Sequence, residues 1–132
     1  MAAITTHDLP TVAGLWTGED VEEQRERGMG TDEELERGRT ALLRRLPTLP
    51  DGASVEDAVE QAHRRLAEAP SRLLSATLDD AVGEPRRPNM PGTTDRPNWS
   101  LPLPVLVDDL AAHPLLQTVA RTLAEGMQRT TG

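Results

Sequence analysis

Two short β-type runs, Ala3-Ile4-Thr5-Thr6 and Arg72-Leu73-Leu74-Ser75-Ala76-Thr77-Leu78, flank a long stretch that is otherwise patterned for helix. Helices between two apolar strands predict a βαβ unit with its strands parallel. Two strands cannot form a stable sheet in water by themselves. The chain is therefore expected to be part of a larger α/β domain, mostly helical by residue count, without all of the surface it packs against. Composition agrees. Trp16 and Trp99 stand alone in a chain with no Phe or Tyr, so any core is built from Leu, Val, Ala and Met. A core without large rings is thin for an independent domain.

The helical segments carry local signals. Thr11 to Thr17 places Val12, Leu15 and Trp16 on one side of a short helix. Asp20 to Arg27 is highly charged and reads as a solvated helical turn or two, stopped by Gly28 and Gly30. Thr31 and Glu34 form a capping box ahead of Leu35, Leu42, Leu43 and Leu46, and Pro47 ends that run. Ser54 and Asp57 cap a second helix with an apolar stripe of Val55, Val59, Ala62 and Leu66. The run from Arg72 to Leu78 reads as a buried strand. A Pro-rich loop from Gly83 to Pro104 follows, and loops of that length are usually functional or disordered. Val105 to Ala112 predicts a short helix. His113-Pro114 opens a last one, with Leu115, Leu116, Val119, Leu123 and Met127 down one face.

Several classes of function are excluded. The chain has no cysteine, which removes disulfides, thiolate zinc sites and thiol nucleophiles. A net charge of −8 argues against nucleic acid and anionic membrane as partners. No apolar run approaches the ~20 residues of a membrane span. Met1-Ala2-Ala3-Ile4 has neither the basic flank nor the hydrophobic stretch of a signal peptide, so the expected location is cytoplasmic. His63, beside Arg64 and Arg65, reads as solvated, and His113 as a loop or cap residue; neither has a second ligand at metal spacing. The acidic runs around Asp20 and Glu33 read as solvated faces and helix N-termini.

Two places could carry chemistry. His7 and Asp8 follow the first strand, where a parallel α/β fold gathers its active-site residues. A carboxylate there can accept hydrogen bonds from sugar hydroxyls, or it can cap the following helix. The long loop holds Asn89, Asp95, Asn98 and Trp99. It reads either as a polar rim with one ring for a sugar site, or as a series of turns with Trp99 packed on a helix.

The segment Thr6-His7-Asp8-Leu9-Pro10-Thr11, followed by Ala13-Gly14 and Trp16, resembles the part of the 4-α-glucanotransferases (amylomaltases, glycoside hydrolase family 77) that bears a His-Asp pair. Asn89-Met90-Pro91-Gly92-Thr93-Thr94, with Pro97-Asn98-Trp99 beyond it, is similar to that family's C-terminal signature. The resemblance covers nearly the whole chain.

It implies that residues 1–132 are the C-terminal portion of a (β/α)8 TIM barrel, about strands 7 and 8 with their helices. At 132 residues the chain is expected to be an incomplete catalytic domain, since a full barrel takes roughly 250. The implied activity is transfer of an α-1,4-glucan segment to the 4-hydroxyl of an acceptor glucan or glucose, by retaining chemistry that needs two carboxyl groups about 5 Å apart. In the family both come from earlier strands, so the isolated chain is expected to be inactive without the N-terminal part of the barrel. Asp8 matches the third catalytic carboxylate, which binds the sugar at the cleavage point. His7 and Asn89 are implied as substrate-binding residues. No metal or cofactor is implied, and the expected partner is a maltooligosaccharide. The alternative reading is an acidic helical module that binds another protein without catalysis.

Overall fold

A computed structural model describes residues 1–131, with side chains as far as Arg129. Two strands, β1 (Ala2–Ala3) and β2 (Leu74–Ser75), pair in parallel with Ala2 opposite Leu74 and Ala3 opposite Ser75. Between them lie α1 (Val12–Thr17), α2 (Glu19–Glu26), α3 (Asp32–Leu43) and α4 (Val55–Ala67); after them come α5 (Leu78–Ala81), α6 (Val107–Leu110) and α7 (Pro114–Thr131). The parallel βαβ connection is the one the sequence predicts.

Local chemistry sets the helix ends. The Thr11 hydroxyl accepts from the Gly14 amide at the start of α1. Both capping boxes form: Thr31 and Glu34 exchange hydrogen bonds across the first turn of α3, and Ser54 and Asp57 do so for α4. His113 caps α7, its Nδ1 accepting from the Leu116 amide at 3.4 Å.

The core is small and aliphatic. Val12, Ala58, Val59, Ala62, Ala81, Leu115 and Val119 form its buried centre, with Ile4, Trp16, Leu46 and Leu123 against it. Alanine on α4 lets α7 approach closely. A Cβ on Gly126 would lie 2.6 Å from the Ala67 Cβ, so glycine is required at that crossing. Where α1 meets the chain after α5, a Cβ on Gly14 would lie 2.2 Å from the Pro85 carbonyl oxygen.

Five expectations are corrected. The first strand does not run over Ala3 to Thr6: pairing covers Ala2–Ala3, and only Ala3 of the expected run takes part. The apolar run from Arg72 to Leu78 is not a buried strand: pairing stops after Leu74–Ser75, Leu73 and Leu78 are exposed, and Leu78 opens α5 behind its cap Thr77. A two-stranded sheet has no neighbour to extend the ladder or cover its faces. The helix expected over Val105 to Ala112 is confined to Val107–Leu110. His63 is not solvated but 1% exposed, and its Nδ1 lies 2.7 Å from the Val59 carbonyl oxygen. It sits between Val59 and Leu66 at helical spacing, so the apolar stripe of α4 carries it inward. The α2 acidic run is not a solvated face, since Asp20 is buried and Glu23 partly so.

Candidate active site

The site grows from one buried carboxylate. Asp80, at the start of α5, accepts through Oδ1 from the Val12 amide at 2.7 Å. Its Oδ2 accepts from the Thr77 hydroxyl at 3.1 Å and from the Thr5 hydroxyl. Asp80 thus ties the segment after β1 to the N-terminus of α1 and to the segment after β2. Parallel pairing puts the carboxyl ends of both strands on one edge, and this carboxylate joins the chains that leave it.

Between Thr5 and Val12 the chain makes a tight turn, the Leu9 amide donating to the Thr6 carbonyl at 3.1 Å. His7 and Asp8 occupy the two central positions of that turn, with both side chains half exposed. The His7 Nε2 lies 3.3 Å from Asp8 Oδ2. On the other side, Asn89 Nδ2 donates to Asp8 Oδ1 at 2.6 Å. The His7 ring meets the Trp99 ring at a centroid distance of 4.9 Å, tilted by 49°. The turn after β1 and the loop after α5 therefore converge on one carboxylate.

Two arginines hold this arrangement. Arg87 grips Asp20 of α2 with two hydrogen bonds, Nε to Oδ1 and Nη2 to Oδ2, each 2.6 Å. Its Nη1 donates to the backbone carbonyl of Asp8 at 3.3 Å. Arg96 donates to Glu23 of α2 through Nε at 2.6 Å, to Asn98 Oδ1 through Nη1 at 3.0 Å, and to the Arg87 carbonyl through Nη2 at 2.7 Å. Burial pushes the Glu23 carboxyl up, but hydrogen bonds and charge from Arg96 and then Arg27 outweigh it and leave its pKa below the ordinary value.

The rest of the loop closes on itself through Asn98. Its Oδ1 accepts from the Met90 amide at 3.0 Å, and its Nδ2 donates to the Thr93 carbonyl and hydroxyl at 3.1 and 2.9 Å. Met90, 1% exposed, anchors the turn in the interior.

The structure thus brings together His7, Asp8 and Asn89, with Trp99 beside them. Trp99 is not packed on a helix: it is 65% exposed. Asp95 stands apart, pairing with Arg27 at 3.1 Å, and Asn98 braces the loop. Arg87, Arg96, Asp20, Glu23 and Asp80 are not singled out by the sequence. The one signal there is a pair of acidic residues one helical turn apart on α2, matched by two arginines in a loop otherwise rich in proline. A cavity of about 460 Å³ lies between α2 and the segment around Pro85 and Pro97, lined by Glu22, Glu26, Arg27 and Arg86. Asp20, Glu23 and Arg96 also line it, so the cavity borders the clamp that holds the cluster, while His7, Asp8, Asn89 and Trp99 are not part of its lining.

Chemically, the Asp8 carboxylate is held from one side by an amide and from the other by an imidazole. An oriented, half-exposed carboxylate of this kind suits a ligand that presents adjacent hydroxyl groups, with His7 and the Asn89 amide adding further contacts.

The family model for 4-alpha-glucanotransferases, glycoside hydrolase family 77, matches residues 1–108. The 4-alpha-glucanotransferases of Mycobacterium bovis and Mycobacterium tuberculosis are each 40% identical to the chain over 149 aligned positions, covering 99% of it and 20% of the relative. The crystal structure of amylomaltase from Corynebacterium glutamicum superposes on 92% of the chain and 21% of its own length, with a TM-score of 0.75 and 31% identity. The chain therefore spans about a fifth of the length of the relatives it matches. Among the described residues no helix is long and apolar enough to cross a membrane. With a family-model match over most of its length and relatives 40% identical across 99% of it, the chain belongs to the 4-α-glucanotransferases of glycoside hydrolase family 77.

Proposed function

We propose that residues 1–132 supply the last two strand–helix units of a (β/α)8 barrel, and that the His7–Asp8–Asn89 cluster is one edge of a glucan-transfer site. The observation that carries this is the meeting of Asn89 and Asp8 at 2.6 Å, on chains that leave two parallel strands and are tied together by Asp80. In a barrel that edge is the catalytic face.

In this reading the enzyme cleaves an α-1,4-glucan and passes the piece to the 4-hydroxyl of another glucan or of glucose. Retention of configuration requires a nucleophile and an acid/base about 5 Å apart, and both come from barrel strands outside this segment. Asp8 binds hydroxyls of the sugar whose bond is cut. Its hydrogen bonds strengthen as the ring flattens toward an oxocarbenium-like state, so they lower the barrier more than they tighten binding. His7 contacts the same sugar, and Asn89 fixes the Asp8 carboxylate while reaching the substrate from the rim. The segment alone is inactive, because it lacks the reacting pair.

The test is disproportionation of maltotriose by the native polypeptide that contains these residues. Glucose and longer maltooligosaccharides should appear together, and the isolated 132-residue chain should release neither. Glucose without longer products would replace transfer by hydrolysis. Release by the isolated chain would place the reacting groups within it.

A further inference from the structure

We propose that Trp99 is a positioning residue that sets the orientation of the His7 imidazole, and through it the Asp8 carboxylate; this deepens the glucan-transfer reading and rests on it. The starting point is a backbone outlier. Trp99 has φ of 63°, and among the described residues no other non-glycine has a positive φ. A bulky side chain in the left-handed region is strained, and such strain persists only where the surroundings enforce it.

The surroundings do enforce it. The Trp99 amide donates to the Pro88 carbonyl at 2.8 Å, next to Asn89 in the chain. The preceding residue, Asn98, is held through its side chain by Met90, Thr93 and Arg96, and Arg96 is held by Glu23. Burial of the indole does not explain why the strain is kept, because the residue is 65% exposed. Glycine or asparagine would satisfy the same turn with less strain. What tryptophan adds at this position is its ring, and the contact that ring makes is with His7, at 4.9 Å. The same imidazole reaches Asp8 Oδ2 through its Nε2 at 3.3 Å. The indole therefore holds the imidazole where it meets the carboxylate.

The experiment uses the native polypeptide containing this segment, with maltotriose as donor and acceptor. Trp99→Gly should leave thermal stability equal or higher, since it relieves the left-handed strain. It should lower kcat by about three- to tenfold with little change in KM, the range that one aromatic pair supports. Trp99→Phe should restore most of the rate. In a His7→Ala background, Trp99→Gly should have no further effect, because the indole acts through the imidazole. A full additional loss in that background, or a loss of rate that tracks loss of stability, would overturn the proposal. If the wild-type protein transfers no glucan, the glucan reading falls by itself, and the ring proton resonances of His7 then decide the contact. They should lie upfield in the wild type and move downfield in Trp99→Gly. Unmoved resonances would overturn the positioning role whatever the reaction.

Discussion

The guanidinium of Arg87 and the carboxylate of Asp20, 67 residues apart in sequence, meet through two hydrogen bonds of 2.6 Å with side chains only 8% and 3% exposed. This pair fastens the loop that carries Asn89 and Trp99 to α2, and the same guanidinium reaches the backbone of Asp8. Removing one partner leaves an uncompensated buried charge, which typically costs about 3–5 kcal/mol. Arg87→Met should therefore lower the urea midpoint sharply at constant slope. Combining it with Asp20→Leu should recover a large part of that loss. A loss below about 1 kcal/mol in the single variant would show the pair to be solvent-relaxed, as surface pairs are.

Glycine is demanded at some positions and merely present at others. Gly14→Ala would put a methyl group 2.2 Å from the Pro85 carbonyl oxygen, and the contact is with backbone. The cost should be at least the roughly 1–3 kcal/mol of ordinary overpacking. Gly38, exposed within α3, has open space within 4 Å of where a methyl group would sit. Gly38→Ala should stabilise by about 0.5–1 kcal/mol through the unfolded chain and helix propensity. Thermal melts of both variants check the contrast, and similar effects at the two sites would contradict the close approach of α1 to Pro85.

Glu23 links stability to pH. Its folded pKa is lower than in the unfolded chain, because Arg96 and Arg27 outweigh the effect of burial. Its contribution is therefore fully present above the ordinary carboxylate pKa and is lost as pH falls through the folded value. Glu23→Gln should be less stable than wild type near neutrality, with the difference narrowing as the medium becomes more acidic. Denaturant midpoints measured across that range would test this, and a constant difference would contradict the charge-paired role.

Much of the fold is legible in the sequence because it is encoded locally. Thr31 with Glu34, and Ser54 with Asp57, announce helix starts within four residues, and both boxes form. The parallel strand pair follows from helices lying between two β-type runs. What is illegible depends on partners distant in sequence. Nothing near Asp20 or Glu23 signals arginines 67 and 73 residues away, so an acidic helix reads as solvated. The strand around Leu74 reads as longer than it is, since an apolar run cannot report whether a neighbour is there to pair with it. The charged neighbours Arg64 and Arg65 mislead about His63, although its spacing to Val59 and Leu66 places it on the buried stripe. For the site, the resemblance of the Thr6–Thr11 and Asn89–Thr94 motifs to the family points to His7, Asp8 and Asn89, while their support by Asp80, Arg87 and Arg96 requires the folded chain.

The central claim is that Asp8 binds the reacting sugar, and the rate of maltotriose disproportionation by Asp8→Asn in the native polypeptide tests it most directly. The side chain is 49% exposed, so folding should change by less than about 0.5 kcal/mol. Transfer should fall by about 10²–10³-fold, the cost of removing one contact that strengthens in the transition state. A fully folded Asp8→Asn enzyme that transfers glucan at the wild-type rate would contradict the account.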